Sequence, residues 1–186
     1  MDIAKLSKCG TIRNFEKDSF ICIEGNEGHT AFFILKGYVE VVLGTFDRKS
    51  KNLVKIPEGS IFGEMSMLED APRSATIVAG EGGVTVLEIN KDDFLNLMKT
   101  EPELAYNLLR TLYNRIEATM KEAGTYLVAY SGEIRRNKLY IDIANLSLQS
   151  FIVIVAQKED YAYKLLAYLS HTLSELNKEL MSRVNR

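Results

Sequence analysis

Tryptophan is absent from this sequence of 186 residues, and cysteine, histidine and proline are scarce. The two cysteines, Cys9 and Cys22, form no Cys-x-x-Cys pair and have no companion histidine. This spacing argues against a zinc site and against a disulfide framework, because both need clustered or paired ligands. We therefore expect no bound metal and a reducing, cytoplasmic location.

Long apolar runs and a strong net charge are missing as well. The longest apolar stretch, Phe151 to Ala156, is far shorter than the ~18 residues of a membrane span, and no basic segment followed by an apolar run opens the chain. The formal net charge is −2, which gives no electrostatic footprint for nucleic acid. One small basic cluster, residues 135–138, has the composition of a solvated turn. We expect neither a membrane partner nor a DNA partner.

Short runs with strand propensity fill the chain between Ser19 and Ile89. Glycine or proline stands between nearly all of these runs, in positions typical of tight turns. Many short strands punctuated in this way predict a sandwich or barrel. The predicted strands are Phe20 to Ile23, Thr30 to Leu35, Tyr38 to Leu43, Leu53 to Ile56, Ser60 to Phe62, Ala75 to Ala79 and Val84 to Ile89.

The stretch from Phe62 to Thr76 brings a glycine, a carboxylate, a guanidinium and a hydroxyl together between two apolar runs. Gly63 lets the backbone approach a ligand closely, and the first amides of a short helix would donate to an anion. Arg73 offers a fixed charge with paired donors to a phosphate, Ser74 adds a hydroxyl, and Glu64 can accept from a ribose hydroxyl. This grouping suits a sugar phosphate. The predicted ligand-binding residues of the stretch are Phe62, Gly63, Glu64, Met65, Ser66, Arg73 and Ser74.

Phe-Gly-Glu-Met-Ser-Met-Leu at residues 62–68, followed by Pro-Arg-Ser-Ala-Thr at residues 72–76, resembles the phosphate-binding cassette of cyclic nucleotide-binding domains. Such domains occur in the regulatory subunits of cAMP-dependent protein kinase and in bacterial catabolite activator proteins. The resemblance continues upstream through residues 34–37 and 57–61, and downstream to about Glu122. It implies an α+β fold, a jelly-roll-like β-roll with flanking helices, over residues 1–123. It also implies a cyclic nucleotide ligand, cAMP with cGMP as the alternative, and no further cofactor. Since no second cassette follows residue 124, we expect one nucleotide per chain.

A long amphipathic helix is predicted to end this domain. Asn90 can cap a short helix from Lys91 to Lys99, and residues 100–103 have the form of a capping box with proline in the first turn. Leucine and other apolar residues then recur at helical spacing to about Ala123. In the family this C-helix lies across the mouth of the roll and responds to the ligand.

Contacts to the base of the nucleotide are also predicted. The resemblance places on Thr119 the threonine that contacts the adenine amino group, with an ordinary exposed helix residue as the alternative. Leu53 and Val54 lie in the strand that would form the pocket wall. Apolar contact with the base and burial in the core both remain open for these two residues.

Residues 124–186 are predicted to form a mainly helical extension. Ala-Tyr-x-Leu-Leu occurs at Ala105 and again at Ala162, either by duplication or because two leucine-rich helices converge. A long helix is predicted from Asp160 to about Arg183, and helix is preferred over strand for the β-branched segment 141–156. The broad leucine stripe of the long helix predicts a homodimer built on helices.

The leading functional hypothesis is a non-enzymatic sensor that binds a cyclic nucleotide and relays its occupancy through the C-helix to an unnamed protein partner. The alternative is a transcription regulator of the catabolite activator family with a divergent DNA-binding part. It requires a helix-turn-helix after the C-helix, and residues 140–186 do not have that pattern. A roll without ligand is disfavoured because the whole cassette is present. Catalysis is the least favoured, since His29 and His171 accompany no nucleophile signature.

Overall fold

The computed structural model describes residues 9–42, 54–158 and 160–184. The described residues form two compact units, one ending at Leu95 and the other beginning at Asn96. The first unit contains the strands and the second is helical. No helix among the described residues is both long and apolar enough to cross a bilayer.

One antiparallel sheet of six strands forms the first unit. The strands are β1 Thr11–Phe15, β2 Phe20–Cys22, β3 Thr30–Val42, β4 Val54–Pro57, β5 Ile61–Phe62 and β6 Thr76–Asn90. Strands β3 and β6 pair with each other along most of their length. Strand β6 also pairs with β1 and β2, and β3 pairs with β4 and β5. With the flanking helices, this sheet is the β-roll that the sequence predicts.

Two of the predicted turns are bulges inside long strands. Lys36-Gly37 and residues 80–83 were each predicted to separate two strands, whereas β3 and β6 run through them. The β3–β6 register shifts between Ile34 and Lys36 and again between Gly37 and Val39, where residues 80–83 are the extra residues of β6. A glycine pattern indicates where the backbone bends, but a bend and a chain reversal have the same local signal. The predicted strand ends Leu43 and Leu53 lie outside the described residues.

The inner face of the roll is aliphatic and aromatic. Phe32 of β3 stacks on Phe62 of β5 with ring centroids 5.0 Å apart, so the strand that leads into the cassette is anchored at its last residue. Burying each such side chain stabilises the fold by about 1.5–3 kcal/mol. The core of the roll consists of Cys22, Phe32, Ile34, Val39, Ile56, Phe62, Ile77, Ala79, Val84 and Val86.

Helix α1, Glu64–Glu69, follows β5 directly, and helix α2, Lys91–Thr100, follows β6. The backbone N–H of Asp93 donates to Asn90 Oδ1 at 2.9 Å, which confirms the predicted cap of α2. The predicted capping box at residues 100–103 is wrong. Helix α3 begins at Pro102, so the capping position falls on Glu101, which makes no side-chain cap hydrogen bond.

The second unit consists of helices. Its long helices confirm the predictions for residues up to Ala123 and from Asp160, and the segment 141–156 is helical but divided between two helices. Ser147 caps the second of these by accepting from the Ser150 N–H at 3.1 Å. The helices are α3 Pro102–Ala123, a 3-10 turn Gly124–Leu127, α4 Val128–Arg136, α5 Lys138–Ala144, α6 Leu148–Gln157 and α7 Tyr161–Val184.

The leucine stripe of α7 is covered within its own chain. Helix α7 packs against α3, and five leucines of the stripe are almost inaccessible to solvent, whereas Tyr161 and Leu180 at its ends are partly exposed. The stripe therefore needs no second chain to cover it, contrary to the basis of the predicted dimer, because α3 supplies the apolar surface. The buried stripe residues are Leu165, Leu166, Leu169, Leu173 and Leu176.

Candidate functional site

A glycine turn joins β5 to α1 and forms the floor of the cassette. Gly63 has φ of 75°, in the left-handed region, and a Cβ at this position would lie 2.7 Å from Nη1 of Arg73. A residue with a side chain would therefore be strained and would also collide with the guanidinium. The turn is built for the close approach of Arg73 to the backbone.

Arg73 is buried and held by four hydrogen bonds. Its Nη1 donates at 2.8 Å to the carbonyl oxygen atoms of Thr30 and Gly63 and to the Ser66 hydroxyl. Its Nη2 donates to Thr30 Oγ1 at 3.2 Å. All four acceptors are uncharged, so these contacts orient the guanidinium without neutralising it.

The other cassette side chains divide between the interior and the surface. Glu64 is 1% exposed, and Phe62 is fully inside the roll. The Ser66 hydroxyl donates to the Gly63 carbonyl at 3.1 Å while it accepts from Arg73, so this side chain supports the cassette from within. Ser74 is exposed, with its hydroxyl 3.8 Å from the sulfur of Met65.

The three residues predicted to contact the base have different outcomes. Val54 begins β4 with 55% of its surface exposed, so it is not part of the core. Leu53 lies outside the described residues. Thr119 is partly exposed on α3, in the second unit, beside the buried Met120.

Two residues next to Arg73 were not predicted. Thr30, the first residue of β3, supplies two of the four acceptors. Gly28 lies against the guanidinium, since a Cβ there would come within 2.4 Å of Nε. A backbone hydrogen bond joins the loop that contains Gly28 to the cassette: the main-chain N–H of Arg73 donates to the Asn26 carbonyl at 2.8 Å. The sequence offers for this loop only Gly25 and Gly28, which are typical of a turn between the two predicted strands on either side.

Cys22 lies in the core of the roll, near the charged side chains of the cassette. Burial raises the pKa of the Cys22 thiol to about 11; Arg73 opposes this shift and Glu64 adds to it. The described residues include no cluster of histidine, cysteine or carboxylate side chains that could hold a metal ion. A surface groove formed by Asn14 to Lys17, Lys36, Gly37 and residues 81–85 includes none of the predicted ligand-binding residues.

The roll and its cassette define a class of small-ligand-binding regulatory domain, and comparisons with known proteins give its family. Residues 12–101 match the sequence model of the cyclic nucleotide-binding domain. These residues form a domain of the cyclic nucleotide-binding family, which confirms the resemblance seen in the cassette.

Relatives from several kinds of protein share this domain. Human cGMP-dependent protein kinase 2 is 34% identical over 103 residues, which are 55% of this chain and 14% of the kinase. The Cyclic AMP receptor protein of Thermus thermophilus is 30% identical over 129 residues, 69% of this chain and 57% of the receptor. A structure of a cAMP-binding acyltransferase from Mycobacterium smegmatis matches with a TM-score of 0.54 and 26% identity, covering 63% of this chain and 36% of the acyltransferase. The shared part is thus the domain and not the whole of any of these proteins.

Proposed function

We propose that this chain binds a cyclic nucleotide at the cassette, cAMP in the first place and cGMP as the alternative, and relays occupancy through α3. The observation that carries the proposal is the buried guanidinium of Arg73, oriented by four uncharged acceptors. A desolvated cation that is held in place but not neutralised by its acceptors is well suited to a phosphate anion. Relatives named for cAMP and for cGMP both support this ligand class.

The remaining contacts follow from the chemistry of the nucleotide. Glu64, buried beside the cassette turn, is proposed to accept from the ribose hydroxyl, and the backbone at Gly63, Met65 and Ser66 to face the phosphate. The Ser74 hydroxyl, which is exposed, would be free to turn from Met65 to a phosphate oxygen. Thr119 is proposed to contact the base, as in the family.

The relay is proposed to run through α3, because α3 carries Thr119 and is tied to the helices that follow. The Tyr140 hydroxyl of α5 donates to Glu117 of α3 at 2.8 Å, and the Tyr106 hydroxyl of α3 donates to the Leu146 carbonyl at 2.8 Å. Burial, with help from Glu117, raises the pKa of Tyr140, so this hydroxyl remains a donor at ordinary pH. A ligand that favours one position of α3 would therefore shift α5 and the α5–α6 turn with it.

A DNA-binding role is not favoured by the helices of the second unit. Helices α5 and α6 are joined by the short turn Asn145 to Ser147, which contains no glycine, and α6 would stand in the position of a recognition helix. However, residues 143–157 contain no charged side chain at all. A helix of this composition cannot neutralise phosphates. We propose a protein target instead, and we propose that the chain acts in the cytoplasm and catalyses no reaction itself.

A homodimer remains our proposal, but through α6 instead of α7. Phe151 is the buried residue of α6, whereas Val153 is 48% exposed and its aliphatic neighbours are partly exposed. In a two-fold dimer the same surface patch of each subunit lies against its copy on the other subunit. A charged patch would therefore bring like charges together, whereas an uncharged patch does not. The uncharged, aliphatic surface of α6 fits this requirement.

Calorimetric titration with cAMP, cGMP and 5′-AMP tests the proposed function. We expect one cAMP or cGMP per chain, and weaker binding of 5′-AMP, whose dianionic open phosphate has a different shape and charge. Hydrogen exchange with and without cAMP should then show altered protection in residues 126–158. Failure of both cyclic nucleotides to bind would contradict the proposal.

A further inference from the structure

We infer that Thr30 is a positioning residue that turns one particular edge of the Arg73 guanidinium, the edge formed by Nε and Nη2, toward the ligand. The inference rests on the proposed phosphate role of Arg73. Thr30 belongs to no part of the cassette motif and stands 43 positions before Arg73 in the chain. It is placed beside the guanidinium only because β3 and β5 pair next to each other.

Thr30 holds the guanidinium with two different oxygen atoms. Its carbonyl accepts from Nη1 at 2.8 Å, and its side-chain Oγ1 accepts from Nη2 at 3.2 Å. The guanidinium presents its five N–H donors in one rigid plane. Two acceptors on neighbouring nitrogen atoms therefore fix both the direction of this plane and its rotation about the last bond of the side chain.

These two acceptors of Thr30, which we call the clamp, determine which N–H donors of Arg73 remain available to a ligand. Nη1 is fully used, because the Gly63 carbonyl and the Ser66 hydroxyl also accept from it at 2.8 Å. Nε–H and the second N–H of Nη2 have no acceptor among the parts of the chain that the structure describes. These two donors lie parallel on one edge of the fork, which matches two oxygen atoms of a phosphate. Thr30 thus leaves the edge formed by Nε and Nη2 available to make two hydrogen bonds with the ligand.

Gly28 provides the space for this orientation. A Cβ at Gly28 would lie 2.4 Å from Nε, 2.6 Å from Cζ and 2.6 Å from the Ser66 hydroxyl oxygen. These are atoms of a guanidinium that four hydrogen bonds hold in place, so it could move aside only by breaking the clamp. An added methyl group at this position would therefore misdirect Arg73 without touching the backbone of the roll.

Titration of the full chain with cAMP tests the clamp through matched substitutions. Thr30→Val removes Oγ1, and we expect Kd to rise about tenfold because the bond to a charged donor is lost. Thr30→Ser keeps Oγ1 and should stay within about threefold of wild type. Thr85→Val is the control: Thr85 also makes one side-chain bond from the same sheet, to Asn14 at 2.8 Å, and should leave Kd unchanged.

Two further variants separate positioning from stability. Thr30→Val should have no effect in an Arg73→Lys background, because an ammonium group has no planar fork to orient. Gly28→Ala should weaken binding at least as much as Thr30→Val while the variant still unfolds cooperatively, since the added methyl group disturbs the contacts of Arg73 and not the backbone of the roll. A Thr30→Ser variant as weak as Thr30→Val, or an undiminished effect of Thr30→Val in the Arg73→Lys background, would overturn the inference.

Failure of the inference can be distinguished from failure of the proposed function. Nitrogen-15 NMR of the ligand-free chain observes the Arg73 side chain directly, with Arg73→Lys providing the assignment. The clamp predicts separate signals for the two Nη2 hydrogens in wild type, which merge in Thr30→Val, whereas the Nη1 signals stay separate because the three acceptors of Nη1 remain. Merged signals in wild type would overturn the clamp even if cAMP binds, whereas separate signals would support it even if no cyclic nucleotide binds.

Discussion

Gly63→Ala should damage the cassette far more than an otherwise equivalent change at Gly59. Both glycines have positive φ, 75° at Gly63 and 82° at Gly59, so alanine costs about 1–2 kcal/mol of backbone strain at either position. A Cβ at Gly59 meets nothing within 4 Å, whereas a Cβ at Gly63 lies 2.7 Å from Nη1 of Arg73 and 3.1 Å from the Thr30 carbonyl oxygen. The difference between the two variants therefore measures the crowding at Gly63, of which the displacement of the guanidinium is the largest part.

The magnitude follows from the bonds that Arg73 would lose. A hydrogen bond to a charged group contributes about 1.5–3 kcal/mol, so losing one at Gly63 brings the total cost to roughly 3 kcal/mol or more, against about 1–2 kcal/mol at Gly59. Urea denaturation gives the two free energies of unfolding, and titration with cAMP gives the two affinities. We expect Gly59→Ala to bind as wild type does and Gly63→Ala to bind at least about tenfold more weakly. Equal losses in the two variants would refute the reasoning.

Three further predictions concern pH, the sugar and self-association. Burial raises the pKa of the Cys22 thiol to about 11, so the unfolded chain loses this proton at lower pH than the folded chain does. In urea denaturation, the free energy of unfolding of wild type relative to Cys22→Ala should therefore fall by roughly 2–3 kcal/mol as pH rises from about 9 to about 11. A difference that stays constant with pH would contradict the burial of the thiol. Glu64→Gln should lower the preference for cAMP over 2′-deoxy-cAMP, because an ionised acceptor binds the hydroxyl more strongly than an amide does; a wild type with no such preference would remove the sugar role. Light scattering should report a dimer at about ten micromolar protein, and the Val153→Glu variant should be a monomer at the same concentration. A monomeric wild type would contradict the proposed α6 interface.

The local features of the site could be predicted from the sequence. Gly63, Glu64 and Arg73 lie within one short stretch of the chain, and each carries a distinct chemical requirement that short spacing preserves. The same holds for the cap at Asn90, which acts three residues along the chain. Such signals are readable because the partners are close in sequence.

The features that the sequence did not predict depend on partners distant in sequence. Thr30 and Gly28 meet Arg73 only after β3 and β5 pair, so their types alone signalled a strand start and a turn. The stripe that includes Leu169 was correctly predicted to be apolar, but periodicity does not say whether α3 or a second chain covers it. The glycines at residues 80–83 mark a bulge because β3 continues opposite them, which no local pattern reveals.

Titration of wild type and Arg73→Ala with cAMP and cGMP tests the central claim most directly. We expect wild type to bind one cyclic nucleotide per chain. Truncating one partner of a buried charge pair costs about 2–5 kcal/mol, so Arg73→Ala should bind about 30-fold more weakly or worse while keeping its helical content and cooperative unfolding. Unchanged affinity in folded Arg73→Ala, or no binding of either nucleotide to wild type, would contradict the account.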